Sequence, residues 1–245
     1  MILLPVLISA IAFLGDSNVW LGGDDCSRPD SWSHWFTAAS DADVVRSFAR
    51  SGATITNVAT TPADTLCYTE LLNDSNTLYH QAIRLNGAVE RGEFPSPDLI
   101  ILYGGSNDAW FSDRRPGLLS GAGEDRDISA TTLPGEATTL RSSLGLLTSV
   151  LRKGNPRSEI VVVGPPYMTR TSRETIKAVA DVMQEFAEGE GLQIIRLDTD
   201  SLINPDVEKR SFTLTRDGAH TTPDGARLIG EYVIAHLQRL HGDDR

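Results

Sequence analysis

Five short, mainly apolar segments recur along the chain, and each is followed within a few residues by glycine or polar residues. A short apolar run of this kind is typical of a buried strand in a parallel sheet, which is covered on both faces. We predict strands over residues 9–14, 44–49, 99–103, 160–163 and 192–197.

The segments between these strands carry apolar residues at helical spacing. Trp32, Trp35 and Phe36 share one face of a helix, so both tryptophans are expected in the core. The last helix is expected to start with Thr222 as its cap and Pro223 in its first turn. The predicted helices cover residues 31–39, 77–91, 140–151, 176–187 and 222–240.

Alternation of strands and helices indicates an α/β protein with three layers, in which a five-stranded parallel sheet lies between helices. The length of 245 residues suits one such domain, and we find no internal boundary. The stretch 112–134 is rich in Gly, Ser, Asp and Arg and is predicted to be a long loop.

The N-terminal run 1–14 is almost wholly apolar but too short to span a membrane. Ala10-Ile11-Ala12 resembles the cleavage site of a secretory signal, although no Lys or Arg precedes the run. We favour a buried strand preceded by an apolar extension over residues 1–8. The compartment stays open, with the cytoplasm favoured over secretion.

A formal net charge of −11 disfavours binding to nucleic acid or to an anionic membrane surface. Cys26 and Cys67 are too few for a disulfide scaffold, and the sequence does not decide whether they pair. Four histidines lack the spacing of metal ligands, so we expect no metal site. They are His34, His80, His236 and His241.

Polar residues follow the first three predicted strands and precede the last predicted helix, at positions that a parallel sheet brings to one edge. They lie in Gly15-Asp16-Ser17-Asn18, Ser51-Gly52-Ala53, Gly105-Ser106-Asn107-Asp108 and Asp217-Gly218-Ala219-His220. Acyl transfer needs this set: a serine hydroxyl, an imidazole base, a carboxylate that orients the imidazole, and donors for an oxyanion.

In these four blocks the chain resembles the SGNH hydrolases, also called GDSL esterases and lipases, from about residue 9 to about residue 240. The resemblance implies that Ser17 is the nucleophile, His220 the base and Asp217 its partner. It also implies an oxyanion hole made by the backbone N–H groups of Ser17 and Gly52 and the side-chain amide of Asn107. The family further implies a flavodoxin-like sheet and neither metal nor cofactor.

The sequence departs from the family at Asn18, where Leu or Ile is usual, and we expect this side chain to pack beneath the site. Asp16 and Asp108 are expected to brace their loops. A purely structural alternative makes Ser17 a helix cap and His220 a surface side chain. Aromatic or sulfur-containing side chains near the blocks are candidates for the substrate pocket, namely Trp20, Trp110, Tyr167 and Met168.

The leading hypothesis is a serine esterase that hydrolyses a carboxylic ester with a short acyl group, such as acetyl on a carbohydrate. The alternatives are an acyltransferase that uses the same acyl-enzyme, and a lysophospholipase or lipase. A long-chain lipase is less favoured, because the loop 112–134 contains no long apolar sequence that could form a lid. A non-catalytic binding domain is disfavoured because no member of the set is missing. The expected partner is a small-molecule or carbohydrate ester, and the oligomeric state stays open.

Overall fold

Five parallel strands form one sheet in the computed structural model of the chain, which describes residues 8–64, 73–115, 117–120 and 128–242. The strands are β1 (Ala10–Leu14), β2 (Val44–Ser47), β3 (Leu99–Tyr103), β4 (Glu159–Val163) and β5 (Gln193–Ile195). Their spatial order is β2-β1-β3-β4-β5, and every pair of neighbours is parallel. The predicted five-stranded parallel sheet is therefore confirmed.

Helices connect the strands. They are α1 (Ser17–Trp20), α2 (Trp32–Ala38), α3 (Leu78–Glu90), α4 (Ser106–Trp110), α5 (Leu140–Gly154), α6 (Arg173–Gly189), α7 (Pro205–Ser211) and α8 (Pro223–Gly242). Short 3₁₀ turns cover Ser112–Arg114 and Pro134–Glu136, at the two ends of the predicted long loop. Residues 116 and 121–127 of that loop lie outside the described residues.

Alternate residues of β1, β3 and β4 enter two separate apolar cores, as strand geometry requires. Ala12 and Leu14 of β1 pack on one face of the sheet with side chains of α3, α5 and α6. Ile11 and Phe13 pack on the other face with side chains of α2 and α8. The helices thus cover both faces, which gives the predicted three layers.

Most predicted elements match in position, and the differences have local causes. Helix α6 begins earlier than predicted because the Ser172 hydroxyl accepts from the N–H of Thr175 and caps the helix at Arg173. The short helices α1 and α4 were not predicted because four or five residues show too little periodicity, and α7 was not predicted because its sequence PDVEKRS has no apolar face. Thr222 does stand before α8, and its hydroxyl accepts from the N–H of Gly225.

The two tryptophans predicted for the core behave differently. Trp32 is fully buried, with its ring edge-on to Phe13 and Tyr103. Trp35 is half-buried, and its ring N–H donates to the carbonyl of Pro29, so the core prediction is wrong for this residue. Trp35 lies on the partly exposed side of α2, where its ring N–H can reach the carbonyl of Pro29 outside the core.

The strand predicted near the N-terminus is confirmed as β1, in which all five residues are buried. Residues 1–7 of the predicted apolar extension over 1–8 lie outside the described residues, and Ile8 packs against the core under α2 and α8. Cys26 is buried, and burial raises the pKa of its thiol to about 11. Cys67 lies outside the described residues, and no helix in the part of the chain described here has the length and apolarity to cross a membrane.

The sheet order places the candidate chemistry at one edge. The chain passes from β1 outward to β2 and then crosses back to β3 on the other side of β1. Such a reversal opens a crevice at the carboxyl ends of the central strands. The blocks after β1, β2 and β3 all emerge at this edge, which is where the sequence predicted a site.

Candidate active site

Ser17 is the first residue of α1, directly after the loop that ends β1. Asp16 is the N-cap of this helix, and its Oδ1 accepts from the N–H of Asn18 at 3.0 Å. The structural alternative in which Ser17 caps the helix is therefore wrong. Ser17 is largely buried. The backbone N–H of Ser17 makes no hydrogen bond with any described residue.

The loop after β2 contacts the Ser17 loop through the N–H of Arg50, which donates to the carbonyl of Gly15, and it contains a glycine in a left-handed conformation. Gly52 has a φ of 77°, which a residue with a side chain adopts only with strain. Its N–H, like that of Ser17, has no hydrogen-bond partner among the described residues. Two unpaired N–H groups are therefore available near the carboxyl ends of neighbouring strands.

Side chains of α4, which follows β3, bind the backbone of the loop after β2. Asn107 donates one amide hydrogen to the carbonyl of Ala53 at 2.9 Å, and its other amide hydrogen has no described partner. The carboxylate of Asp108 accepts from the N–H groups of Ile55 and Thr56 at 3.0 and 2.9 Å. The bracing role predicted for Asp108 is present in these contacts.

Asp217 and His220 face each other within one short turn. Asp217 Oδ2 lies 2.8 Å from His220 Nδ1, and Asp217 Oδ1 accepts from the N–H groups of Ala219 and His220. An Nδ1 that donates to a carboxylate leaves Nε2 as the unprotonated ring nitrogen, which can accept a proton. In the part of the chain that the structure describes, His220 is the one histidine that pairs with a carboxylate.

The turn depends on a glycine and on a buried carboxylate behind it. Gly218 has a φ of 87°, and a Cβ there would collide with the Thr169 side chain. Glu208 is buried and accepts from the N–H and hydroxyl of Thr215, from the N–H of Leu214 and from the hydroxyl of Thr213. The Thr215 hydroxyl in turn accepts from the N–H of Gly218. The hydrogen bonds from Glu208 through Thr215 to Gly218 thus fix the shape of the turn that carries Asp217 and His220.

The two acidic residues of the site have opposite pKa shifts. Burial disfavours ionisation of Asp217, but the hydrogen bonds from His220 and Ala219 outweigh it and lower its pKa to about 2. Full burial raises the pKa of Asp16 to about 7, against the hydrogen bond from Asn18. Asp217 is therefore ionised at neutral pH, as a partner of a histidine base must be.

Asn18 joins the Ser17 segment to the His220 turn, with contacts to residues on both sides of His220. The predicted position beneath the site fits its burial, with 3% of its surface exposed. No hydrogen bond within the described residues joins the Ser17 hydroxyl to His220 directly. Neither the Asn18 link nor the contact of Gln81 with Gly15 was predicted, because each joins residues that are far apart in sequence.

The four predicted pocket residues lie in different surroundings. Trp110 ends α4, stacks on Phe111 with ring centroids 5.1 Å apart, and carries the guanidinium of Arg170 over its ring. Tyr167 and Met168 follow β4 and pack against the core under α3, α5 and α6. Trp20 packs instead against the core under α2 and α8.

Arg170 was not predicted from sequence. Its guanidinium lies 3.9 Å from Asp217 Oδ2 and is partly exposed. It therefore connects the Trp110 ring with the Asp217–His220 pair. Within the residues described, no three His, Cys, Asp or Glu side chains are grouped so that they could hold a metal ion.

The chain is similar to known proteins of one family. The model of the GDSL-like Lipase/Acylhydrolase family matches residues 13–228. A comparison with curated proteins gave no match.

Among solved structures, a carbohydrate acetylesterase family member from Sinorhizobium meliloti is 19% identical, with a TM-score of 0.57 over 96% of this chain and 100% of that one. A protein proposed to be a GDSL-like lipase, from Bacteroides ovatus, is 17% identical with a TM-score of 0.58 over 95% and 99%. A proposed arylesterase from Agrobacterium tumefaciens is 18% identical with a TM-score of 0.57 over 95% and 99%. At these identities the likeness shows a shared fold. Since the family match spans most of the sequence, the chain belongs to the GDSL-like lipase/acylhydrolase family and is an ester-bond hydrolase with the SGNH fold.

Proposed function

We propose that this chain is a serine esterase that works through an acyl-enzyme on Ser17. The observation that carries the proposal is the Asp217–His220 pair, held by Asn18 beside the Ser17 segment. An imidazole whose Nδ1 is fixed on an ionised carboxylate can accept a proton at Nε2 from a nearby hydroxyl.

In the first half-reaction the Ser17 Oγ attacks the ester carbonyl carbon while its proton passes to His220 Nε2. The carbonyl oxygen becomes an oxyanion, for which the N–H groups of Ser17 and Gly52 and the second amide hydrogen of Asn107 are the donors. When the carbon–oxygen bond to the alcohol breaks, His220 gives its proton to the leaving alkoxide, and Ser17 carries the acyl group.

In the second half-reaction His220 takes a proton from water, and the hydroxide oxygen attacks the acyl carbon. The bond to Ser17 Oγ then breaks, and the serine oxygen recovers the proton from His220. The carboxylic acid leaves, and the enzyme returns to its starting protonation state.

For the substrate we propose an ester with a short acyl group, with acetyl on a carbohydrate as the first class to test. The partly exposed Trp110–Phe111 pair supports this choice, because aromatic side chains pack well against a sugar ring. The guanidinium of Arg170 lies over the Trp110 ring and must move aside for a sugar to reach that face. The named function of the Sinorhizobium meliloti protein is a second, weaker support.

The mechanism is tested with Ser17→Ala, measured on p-nitrophenyl acetate and by covalent labelling with a fluorophosphonate. The variant is expected to lose turnover and labelling while its circular dichroism stays unchanged. Ser40→Ala is the matched control. Ser40 precedes β2, at the amino ends of the strands and away from the site, and its hydroxyl donates to the carbonyl of Thr37. Wild-type turnover in Ser17→Ala would overturn the proposal.

The same assay separates hydrolysis from transfer. Adding a sugar or a simple alcohol at increasing concentration diverts an acyltransferase to the acylated acceptor, whereas a hydrolase continues to release free acid. We expect free acid as the main product. A series of p-nitrophenyl esters of increasing chain length and a set of acetylated sugars then defines the acyl and alcohol preferences.

A further inference from the structure

We propose that Asn18 is a positioning residue that holds His220 in place relative to Ser17. Its side-chain amide bonds to the residue before His220 and to the residue after it. This inference rests on the proposed function, since it gives Asn18 its importance through the proposed nucleophile and base.

The contacts of the Asn18 amide define its orientation. Nδ2 donates to the carbonyl of Ala219 at 3.2 Å, and Oδ1 accepts from the N–H of Thr221 at 3.1 Å. A carbonyl can only accept and an N–H can only donate, so neither partner tolerates the flipped amide. Nδ2 also lies 3.5 Å from the hydroxyl of Tyr103 in β3. The side chain is therefore bonded on both sides and buried.

The backbone of Asn18 is fixed as well. The Ser31 hydroxyl donates to the carbonyl of Asn18 at 2.6 Å, and the N–H of Asn18 donates to Asp16. Because Asn18 is the next residue after Ser17, anything bonded to its side chain is located relative to the serine. The two contacts of the Asn18 side chain, with Ala219 and with Thr221, therefore start from a backbone position that is itself fixed.

The other bonds of the His220 turn locate it relative to Ser17 only indirectly. Asp217 bonds to N–H groups inside the turn, and the N–H of Arg216 donates to the carbonyl of His220. These bonds set the shape of the turn. The N–H of Thr169 donates to the carbonyl of Gly218, which does not adjoin Ser17. The Thr221 hydroxyl lies 3.0 Å from the carbonyl of Asp30 and 3.4 Å from Asn18 Oδ1 itself. Asp30 precedes Ser31, whose hydroxyl binds the Asn18 carbonyl, so this contact reaches Ser17 only through a further bond.

The leucine in Asn18→Leu could fill the same space but could not form the hydrogen bonds to Ala219 and Thr221. It would leave the buried N–H of Thr221 without its partner and would remove the donor to Ala219. Since no hydrogen bond in the described structure joins Ser17 to His220, their distance depends on such supporting contacts. A misplacement of about 1 Å can cost ~100-fold in rate.

The experiment compares Asn18→Leu with wild type by steady-state kinetics on p-nitrophenyl acetate. We expect kcat to fall by about 10- to 100-fold with KM changed by less than about threefold, because proton transfer and not ester binding is impaired. Thr222→Ala is the matched control. Its hydroxyl makes hydrogen bonds to Thr213 and Gly225, just beyond the turn, but none to the Ser17 segment. Its kcat is expected to match wild type.

A double-mutant cycle with His220→Ala separates positioning from general damage. The readout is the rate of fluorophosphonate labelling of Ser17, which stays measurable in slow variants. If Asn18 acts through His220, then Asn18→Leu has no further effect once His220 is gone. If the two losses multiply, Asn18 acts on the fold or on Ser17 itself and the inference is overturned.

The outcomes distinguish this inference from the proposed function. Wild-type labelling in His220→Ala overturns the proposed function. Slower labelling in His220→Ala together with wild-type kcat in Asn18→Leu overturns the role of Asn18 alone. If Asn18→Leu fails to fold, Asn18→Asp replaces it, since this variant keeps the acceptor for Thr221 and replaces the donor to Ala219 by an oxygen, with a carboxyl group in place of the neutral amide. A kcat about tenfold lower is expected for Asn18→Asp, and a wild-type kcat would overturn the inference.

Discussion

The side-chain amide of Gln81 makes hydrogen bonds with both backbone polar groups of Gly15, two residues before Ser17. Gly15 N–H donates to Oε1 at 2.7 Å, and Nε2 donates to the Gly15 carbonyl at 2.8 Å. Gln81 lies on α3 and is fully buried. The loop that carries Ser17 is thus fixed to a helix on one face of the sheet, as the His220 turn is fixed to Asn18.

Removal of this pair should weaken both the fold and the activity. In Gln81→Leu the Gly15 carbonyl keeps the N–H of Arg50, but the Gly15 N–H loses its partner in a buried site. An unsatisfied buried N–H costs about 1–3 kcal/mol, so the free energy of unfolding should fall by that amount. We expect kcat on p-nitrophenyl acetate to fall as well.

Urea unfolding and steady-state kinetics check this prediction, with Gln184→Leu as the control. Gln184 is partly exposed on α6, where its amide bonds to side chains of Glu188 and Arg196. Its replacement should leave kcat unchanged. Equal kcat in the two variants would contradict a role for Gln81 in holding the Ser17 loop.

Asp16 should make the protein less stable as the pH rises. Burial raises the pKa of this carboxyl to about 7, whereas an unfolded chain ionises Asp near pH ~3.9. Between these values the folded state binds a proton that the unfolded state has lost, so stability falls with rising pH by at most about 1.4 kcal/mol per unit. Above about pH 7 this contribution levels off.

Urea unfolding of wild type and Asp16→Asn between pH 4 and pH 8 measures the effect. The difference in unfolding free energy, wild type minus variant, should fall by up to about 4 kcal/mol over this range, since the pKa difference is about three units. Asp25→Asn serves as the control, because Asp25 is exposed. A pH-independent difference for Asp16→Asn would refute the raised pKa.

Glu208 should act in the opposite pH direction. Burial raises the pKa of its carboxyl, but the hydrogen bonds from Thr215, Leu214 and Thr213 outweigh burial and lower it. A lowered pKa in the folded state gives stability that is present above the unfolded pKa and is lost as the pH falls through the folded value. Glu208→Gln turns one acceptor into a donor and should cost about 1.5–3 kcal/mol at pH 7.

The loss in Glu208→Gln should shrink at acid pH, where the wild-type carboxyl is protonated as well. Thermal or urea unfolding at neutral and acid pH checks this trend. Glu231→Gln is the matched control, because Glu231 forms an exposed ion pair with Arg227 on α8 and should change stability by less than about 0.5 kcal/mol. A loss in Glu208→Gln that is the same at both pH values would show that the charge of Glu208 is not involved.

Trp110 should matter more for a carbohydrate ester than for a small one. If the Trp110–Phe111 stack receives a sugar ring, Trp110→Ala should raise KM for an acetylated oligosaccharide by about 2- to 10-fold. KM for ethyl acetate should change little. Trp35→Phe on α2 is the control, and equal changes on the two substrates would place the sugar elsewhere.

Local pattern was enough to predict the architecture and the position of the candidate chemistry. Apolar runs and helical spacing reflect burial of neighbouring residues, so the strands, the parallel sheet and the long helices could be predicted without long-range information. Parallel strands end at one edge, so Ser17, Gly52 and Asn107 could be assigned to that edge together. The short helices α1 and α4 escaped prediction because their length allows no repeat, and α7 escaped it because it has no apolar face.

The supports of the candidate site were decided by the tertiary structure alone. Gln81 lies 66 residues from Gly15, and Asn18 lies 201 residues from Ala219, so no local periodicity relates them. An asparagine or glutamine pairs equally well with many partners, and only packing selects which carbonyl and which N–H it meets. The half-buried position of Trp35 has the same origin, because the fold and not the helical pattern gave its ring nitrogen a partner at the surface.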